Sequence, residues 1–256
     1  MIIDTHTHLY VEEFDTDYKE VIQRAIDYGV EKFFLPAIDS SYTERMFRLQ
    51  KEYPEHMYLM NGLHPCSVKE NWQEEIAKVN ALVSAHSKDF YAIGEIGIDL
   101  YWDKTFLEAQ KEAFALQIRL AKEYHLPIVI HCREAFEETF EVLEKEKSDD
   151  LFGIFHCFTG NKEQALRAIS FGLKLGIGGV ATFKNGKIDT FLKEIPLEHL
   201  VLETDAPYLA PVPFRGKRNE SSYLIYIIKK LAEIYNISEN EIIKRTTNNA
   251  LEIFKP

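Results

Sequence analysis

Short runs dominated by Val, Ile, Leu and Phe alternate along this 256-residue chain with longer stretches in which apolar residues recur every three or four positions. The runs fall at 1–5, 32–38, 57–63, 90–96, 128–131, 153–158, 173–177 and 200–204. Their near-continuous apolar character, without in-and-out alternation, predicts parallel strands buried on both sides. Between them the helical period predicts helices over 15–28, 41–53, 105–124, 161–171, 223–235 and 237–254. The ends are punctuated accordingly. Gly29 and Gly172 follow two of the helices, Pro54 follows a third, and Ser238 with Glu241 forms a capping-box pattern.

Eight strands in 256 residues leave about 32 residues per unit, enough for one strand and its crossover helix. No linker, low-complexity tract or shift of composition divides the chain. The prediction is an α/β fold, a single (β/α)8 TIM barrel over residues 1–256, with its chemistry at the C-terminal ends of the strands. An open doubly wound sheet is the runner-up. It lacks the Gly-x-Gly-x-x-Gly turn after the first strand, and too many strand ends here carry polar residues.

Those strand ends hold the candidate chemistry. The first gives Asp4-Thr5-His6-Thr7-His8, the third Gly62-Leu63-His64-Pro65, and the fourth Gly94-Glu95-Ile96-Gly97-Ile98-Asp99. The fifth gives His131-Cys132-Arg133, the sixth His156-Cys157-Phe158, and the eighth Glu203-Thr204-Asp205-Ala206-Pro207. On an extended strand His6 and His8 project to the same side, which suits a shared metal ion. An isolated His-x-His is as readily a hydrogen-bonded pair, and any single buried His or Asp is more often a satisfied polar group than a ligand. Six donors at matching strand ends are not accounted for in that way. His6, His8 and Asp205 are assigned to one divalent cation, His131 and His156 to a second, and Glu95 to bridge them. Such ions, roughly 3.5–4 Å apart, hold a hydroxide and stabilise both attacking and leaving oxygens. With that hydroxide and two carboxylates the pair keeps one net positive charge, which favours an anionic ester. Asp205 is the candidate general base.

Other residues leave alternatives open. Arg133 suits a phosphate or a salt bridge, and His64 suits leaving-group protonation, phosphate binding or support of a ligand. Asp4 and Glu203 lie one step deeper than His6 and Asp205, where support is expected rather than ligation. The loop 208–219 carries Phe214-Arg215-Gly216-Lys217-Arg218, a substrate grip through Arg215 and Arg218 or a solvated loop. Tyr101 and Trp102 either stack bases or shield the site. The glycines between 176 and 179 suit close approach of a phosphate to backbone amides.

Composition narrows the field. The net charge of −11 argues against broad electrostatic adhesion to nucleic acid, so an anionic substrate requires local positive charge. Three cysteines form no paired framework and fit a reducing compartment. Cys132 and Cys157 each follow a histidine, so strand parity points them away from the site. No apolar run approaches the roughly 18 residues of a membrane span, and Met1-Ile2-Ile3-Asp4 does not open a signal peptide. A cytoplasmic protein is expected, with no membrane association and no obligate protein partner.

Taken together, the strand-end motifs resemble those of the TatD-like metal-dependent deoxyribonucleases, within the amidohydrolase-like barrel group, over the whole chain. The resemblance implies a hydrolase with two divalent ions acting on DNA phosphodiester bonds, typically as an exonuclease, with ligands at His6, His8, Glu95, His131, His156 and Asp205. One departure is that Arg218-Asn219-Glu220 is followed by Ser221, where the family's loop usually has proline. Imidazole donors favour zinc, manganese, nickel or iron by softness, whereas family members are often assayed with magnesium, so the ion stays open. The alternative is an amidohydrolase-type enzyme acting on a small ester, lactone or cyclic amide. Many of those bridge their metals with a modified lysine after the fourth strand, and here no lysine lies between Asp89 and Asp103. A non-catalytic, metal-stabilised binding module ranks lower, because Asp205 is present.

Overall fold

The computed structural model describes residues 1–256. Its strands are β1 (Ile2–Asp4), β2 (Val30–Leu35), β3 (Met57–Asn61), β4 (Phe90–Asp99), β5 (Ile128–Arg133), β6 (Gly153–Phe155), β7 (Leu173–Ile177) and β8 (Leu200–Leu202). Each pairs in parallel with the next in sequence order. Beyond their ends, Thr5 N–H donates to the Leu202 carbonyl at 3.0 Å and Asp205 N–H to the His6 carbonyl at 2.9 Å. A parallel bridge between Thr7 and Ala206 completes the ring. The result is the (β/α)8 barrel that the apolar runs predict.

Eight helices surround it: α1 (Tyr18–Asp27), α2 (Thr43–Glu52), α3 (Trp72–His86), α4 (Leu107–Glu123), α5 (Phe136–Lys145), α6 (Lys162–Ser170), α7 (Leu224–Tyr235) and α8 (Glu239–Phe254). Helices α3 and α5 were not among the predicted ones. The connection from β7 to β8 departs the other way, replacing a crossover helix by short 3-10 turns at Gly179–Thr182, Ile188–Thr190, Leu192–Glu194 and Leu197–His199. Polar Lys184-Asn185-Gly186-Lys187 and then Pro196 interrupt any longer helix there. The capping box forms at Asn161 and Gln164, on α6. At α8 only half of one forms, because the Glu241 carboxylate accepts from Arg245 instead.

Two apolar layers follow from this topology. The larger packs the outward strand residues against the helices. The smaller fills the barrel floor with Ile3, Phe34, Met60, Ala92, Val129, Ile154 and Val201, and Phe254 from the end of α8 stacks on Phe34 at 3.8 Å. Two residues along from Val129, Ile154 and Val201 stand His131, His156 and Glu203, so alternation carries the inward face from an apolar floor to a polar mouth.

Candidate metal centre

Alternation places some of the donors and local irregularity places the rest. Strand β1 ends at Asp4 and the chain bends at Thr5 and His6, so the extended path expected through His8 is not formed. The two imidazoles nevertheless meet, with Nε2 atoms 3.3 Å apart. Glu95 depends on a bulge. Gly94 pairs with Val129 and Ile96 with Ile130, leaving Glu95 as an extra residue turned inward. Gly97 allows β5 to lie close by, since a Cβ there would sit 2.0 Å from the His131 carbonyl oxygen.

Around Glu95 the donors converge. Its Oε2 lies 3.0 Å from His6 Nε2 and 3.6 Å from His8 Nε2, and Asp205 Oδ1 lies 3.8 and 3.5 Å from the same two atoms. Its Oε1 lies 2.7 Å from His131 Nδ1, 3.3 Å from His64 Nε2 and 3.8 Å from His156 Nε2. His6, His8 and Asp205 form one compact donor group. His131 and His156 share no such group and are linked only through Glu95 Oε1, with His64 beside His131 and Asp205 beside His156. The second half of the site is therefore looser than the sequence suggests.

The far side of each ring decides what its near side offers. Tyr10 O–H donates to the Pro36 carbonyl, so its oxygen accepts from His8 Nδ1–H at 2.9 Å and leaves the His8 Nε2 lone pair facing inward. Asp99 Oδ2 accepts from His131 Nε2 at 2.9 Å. Glu203 Oε1 lies 2.9 Å from His156 Nδ1 off the hydrogen-bond direction, and takes the Cys157 N–H at 2.6 Å. Carboxylates or a tyrosine behind imidazoles are how metal-binding histidines are oriented. Four donors around a tetrahedral ion at roughly 2.0–2.1 Å lie about 3.3 Å apart, close to the 3.0–3.8 Å separations among His6, His8, Glu95 and Asp205. The residues fit a divalent cation.

Electrostatics agree. Burial alone would raise the Glu95 carboxyl, but His64, His6 and His156 around it hold it well below the ordinary carboxylate range. Burial would likewise lower His131 and His156, yet their carboxylate neighbours, Asp99 and Glu95 for one and Glu203, Glu95 and Asp205 for the other, raise them to about 9 and about 10. His6, pressed down by burial and by the stacked His156 ring 3.4 Å away, falls to about 4. The cluster is thus rich in negative charge, which cations neutralise.

His64 takes a different position. Its Nδ1 accepts the Cys66 N–H at 3.0 Å, so in the neutral ring Nε2 carries the proton and faces Glu95 as a donor. Asp4 braces the site from below, accepting from Thr204 Oγ1 at 2.6 Å and Thr204 N–H at 3.0 Å. Asp99 and Tyr10 are supports that the strand-end pattern does not single out. Each stands a few residues beyond a donor, four after Glu95 and two after His8.

Parity fails at Cys157. Strand β6 stops at Phe155 and Cys157 adopts φ 43°, so its thiol joins His156 and Asp205 rather than turning away. The glycines of 176–179 serve the protein's own packing. A Cβ on Gly176 would lie 2.2 Å from Glu203 Oε2, and one on Gly179 would lie 2.0 Å from the Leu209 carbonyl oxygen. Gly176→Ala is expected to destabilise the fold by about 1–3 kcal/mol and to weaken metal binding about tenfold or more, by pushing Glu203 off His156. Denaturant unfolding and metal titration check this, and wild-type values in both would remove the packing role.

At the rim Arg133 is exposed and lies over the Tyr101 ring at 3.6 Å, with Trp102 beside it. Arg215 is also exposed, over Phe183 at 4.5 Å. Arg218 is not free to grip a substrate. Its guanidinium pairs with both Asp17 oxygens at 2.8 and 2.6 Å, donates to the Glu13 carbonyl and covers Phe14. Phe214 is likewise stacked on Tyr223 at 4.3 Å.

Imidazoles and carboxylates gathered at the C-terminal mouth of a parallel barrel define a (β/α)8 protein with side-chain groups that could hold metal ions. The family model described as TatD related DNase matches residues 3–255. The chain belongs to that family. It is 43% identical over 256 residues to YabD of Bacillus subtilis, named as an uncharacterized metal-dependent hydrolase, covering all of this chain and 99% of that one. It is 31% identical to a Yersinia pseudotuberculosis protein named as the 3′-5′ ssDNA/RNA exonuclease TatD, covering 99% of each. The solved structure of YjjV, a TatD homologue from Escherichia coli, superposes with a TM-score of 0.93 at 30% identity, covering 100% of this chain and 98% of that one. No helix is long and apolar enough to cross a membrane.

Proposed function

We propose that the protein is a divalent-metal-dependent hydrolase that cleaves nucleic-acid phosphodiester bonds, DNA foremost, from a strand end, using two ions per chain. The observation that carries this reading is the convergence of His6, His8, His131, His156, Glu95 and Asp205 at the mouth, with Tyr10, Asp99 and Glu203 set behind three of the rings. Family membership and the name of the Yersinia relative support the same substrate class. Bound divalent ions supply Lewis-acid polarisation of a phosphoryl oxygen and make water a nucleophile near neutral pH.

The chain's own groups divide the remaining work by position. His6, Glu95 and His156 are almost wholly buried, whereas the side chains of Asp205 and His64 keep 13% and 14% exposure and face the incoming substrate. The Asp205 carboxylate takes the proton of the attacking water. His64 gives its Nε2 proton to the departing oxygen. Arg133, spread on Tyr101, and Arg215 hold phosphates of the strand in an otherwise acidic protein.

The test is chelator-stripped protein restored in turn with zinc, manganese, magnesium and nickel, on end-labelled single- and double-stranded DNA and single-stranded RNA. Loss of label is expected only with metal, and Asp205→Asn is expected to slow it about 100- to 10,000-fold while remaining folded. Equal rates in that variant would remove Asp205 as base. Hydrolysis of lactones or simple esters with every nucleic acid left intact would replace the reading by the small-substrate one.

A further inference from the structure

A hollow of about 590 Å³ opens at the same mouth, between the segments that follow β6, β7 and β8. Thr159 and Asn161 form one wall, Phe183, Asn185 and Lys187 a second, and Arg215 closes the third. None of its lining side chains is acidic, in a chain with 41 Asp and Glu. Nearby acids are engaged elsewhere: Asp189 pairs with Lys230, and Glu194 with Lys162.

The walls are fixed to the metal centre by short lengths of backbone. Thr159 comes three residues after His156, and Gly179 packs against Leu209, four residues after Asp205. The shape is held from within, because a Cβ on Gly160 would lie 2.7 Å from Phe158 and one on Gly186 would lie 2.4 Å from the Val180 carbonyl oxygen. The Arg215 guanidinium lies over the Phe183 ring, 4.5 Å from its centre, and donates to Asn185 Oδ1 at 3.3 Å, so a cation and an aromatic ring share the hollow with amides and hydroxyls. Asn161 caps the N-terminus of α6, which adds the positive end of that helix.

We infer that this hollow is a nucleotide subsite, holding the phosphate and base of a nucleotide further along the strand than the two joined by the bond being cut. The inference rests on the nucleic-acid reading proposed above. A phosphate requires cations and N–H donors without competing carboxylates, and a base stacks on a guanidinium or aromatic plane whatever its sequence. Barrels of this class often place a phosphate site at the segments after strands seven and eight. Lys187, exposed at the edge of the hollow and held at φ 57°, is the residue through which the subsite grips the backbone.

The test is binding rather than turnover. Manganese-loaded wild type, Lys187→Ala and Lys187→Glu are titrated with fluorescein-labelled phosphorothioate thymidine oligomers of two and six nucleotides, followed by anisotropy over a salt series. The hexamer is expected to bind about tenfold more weakly to Lys187→Ala, with a salt slope smaller by about one, and more weakly still to Lys187→Glu. The preference for six nucleotides over two falls with it. Equal hexamer affinity in all three proteins would overturn the subsite, as would a loss matched in full by the dinucleotide. Lys187-dependent binding without cleavage of any nucleic acid would sink the proposed reaction and keep the subsite. Cleavage with Lys187-independent binding would do the reverse.

Discussion

Glu95→Ala is expected to remove nearly all turnover, by about 10,000-fold or more, because this one carboxylate reaches both halves of the site. Its two oxygens lie within 2.7–3.8 Å of nitrogens on five histidines, His6, His8, His64, His131 and His156. No other side chain in the barrel does this. Without it the compact group of His6, His8 and Asp205 loses its fourth donor, and nothing joins His131 to His156. The conservative Glu95→Gln keeps the shape but halves the acceptor capacity, and should fall between alanine and wild type in metal content. Steady-state kinetics on bis(p-nitrophenyl) phosphate, with metal content by elemental analysis, checks both. A folded Glu95→Ala protein that keeps two ions and a rate within tenfold of wild type would falsify the bridging role.

Chelation is the second large effect. The stripped protein is expected to stay folded, since the apolar floor and the helix layer do not involve the donors, and to lose activity completely until metal returns. Its stability should depend on pH in a defined direction. His131 and His156 have folded-state values raised to about 9 and about 10 from an ordinary 6.5, so their contribution is fully present below 6.5 and disappears as pH rises through 9 to 10. The loss should be on the order of a few kcal/mol. His6, lowered to about 4, acts oppositely, its contribution being present above 6.5 and lost as pH falls through 4. Ligation requires neutral imidazoles, so metal uptake at pH 7 should release about two protons. Calorimetry in two buffers of different ionisation heat measures that number, and release of none would contradict the raised values.

Much of this architecture can be read from residues because a strand's end is a fixed place in a barrel. Once the eight apolar runs are placed, His131, His156 and Asp205 are already at the mouth. Helices α3 and α5 were equally readable, through Trp72, Ile76, Val79 and Val83 on one face and Phe136, Thr139, Phe140 and Leu143 on another. What could not be read depended on distant partners or local bends. The pairing of Arg218 with Asp17 joins residues 201 positions apart, and only the fold reveals that it withdraws Arg218 from the substrate. Cys157 escapes strand parity because β6 ends two residues before it. The tautomers of His8 and His64 follow from Tyr10 and the Cys66 amide, contacts made by turns that no period describes.

The extra residue in β4 makes the centre sensitive to chain length as well as to chain chemistry. Deleting Ile96 would give one-for-one pairing with β5 and set Glu95 opposite Ile130, on the face that packs against the helices, so the centre would lose its shared carboxylate without any change in the donors themselves. An unpaired carboxylate in that apolar layer is costly, so such a shortened chain is expected to lose metal binding and melting temperature together.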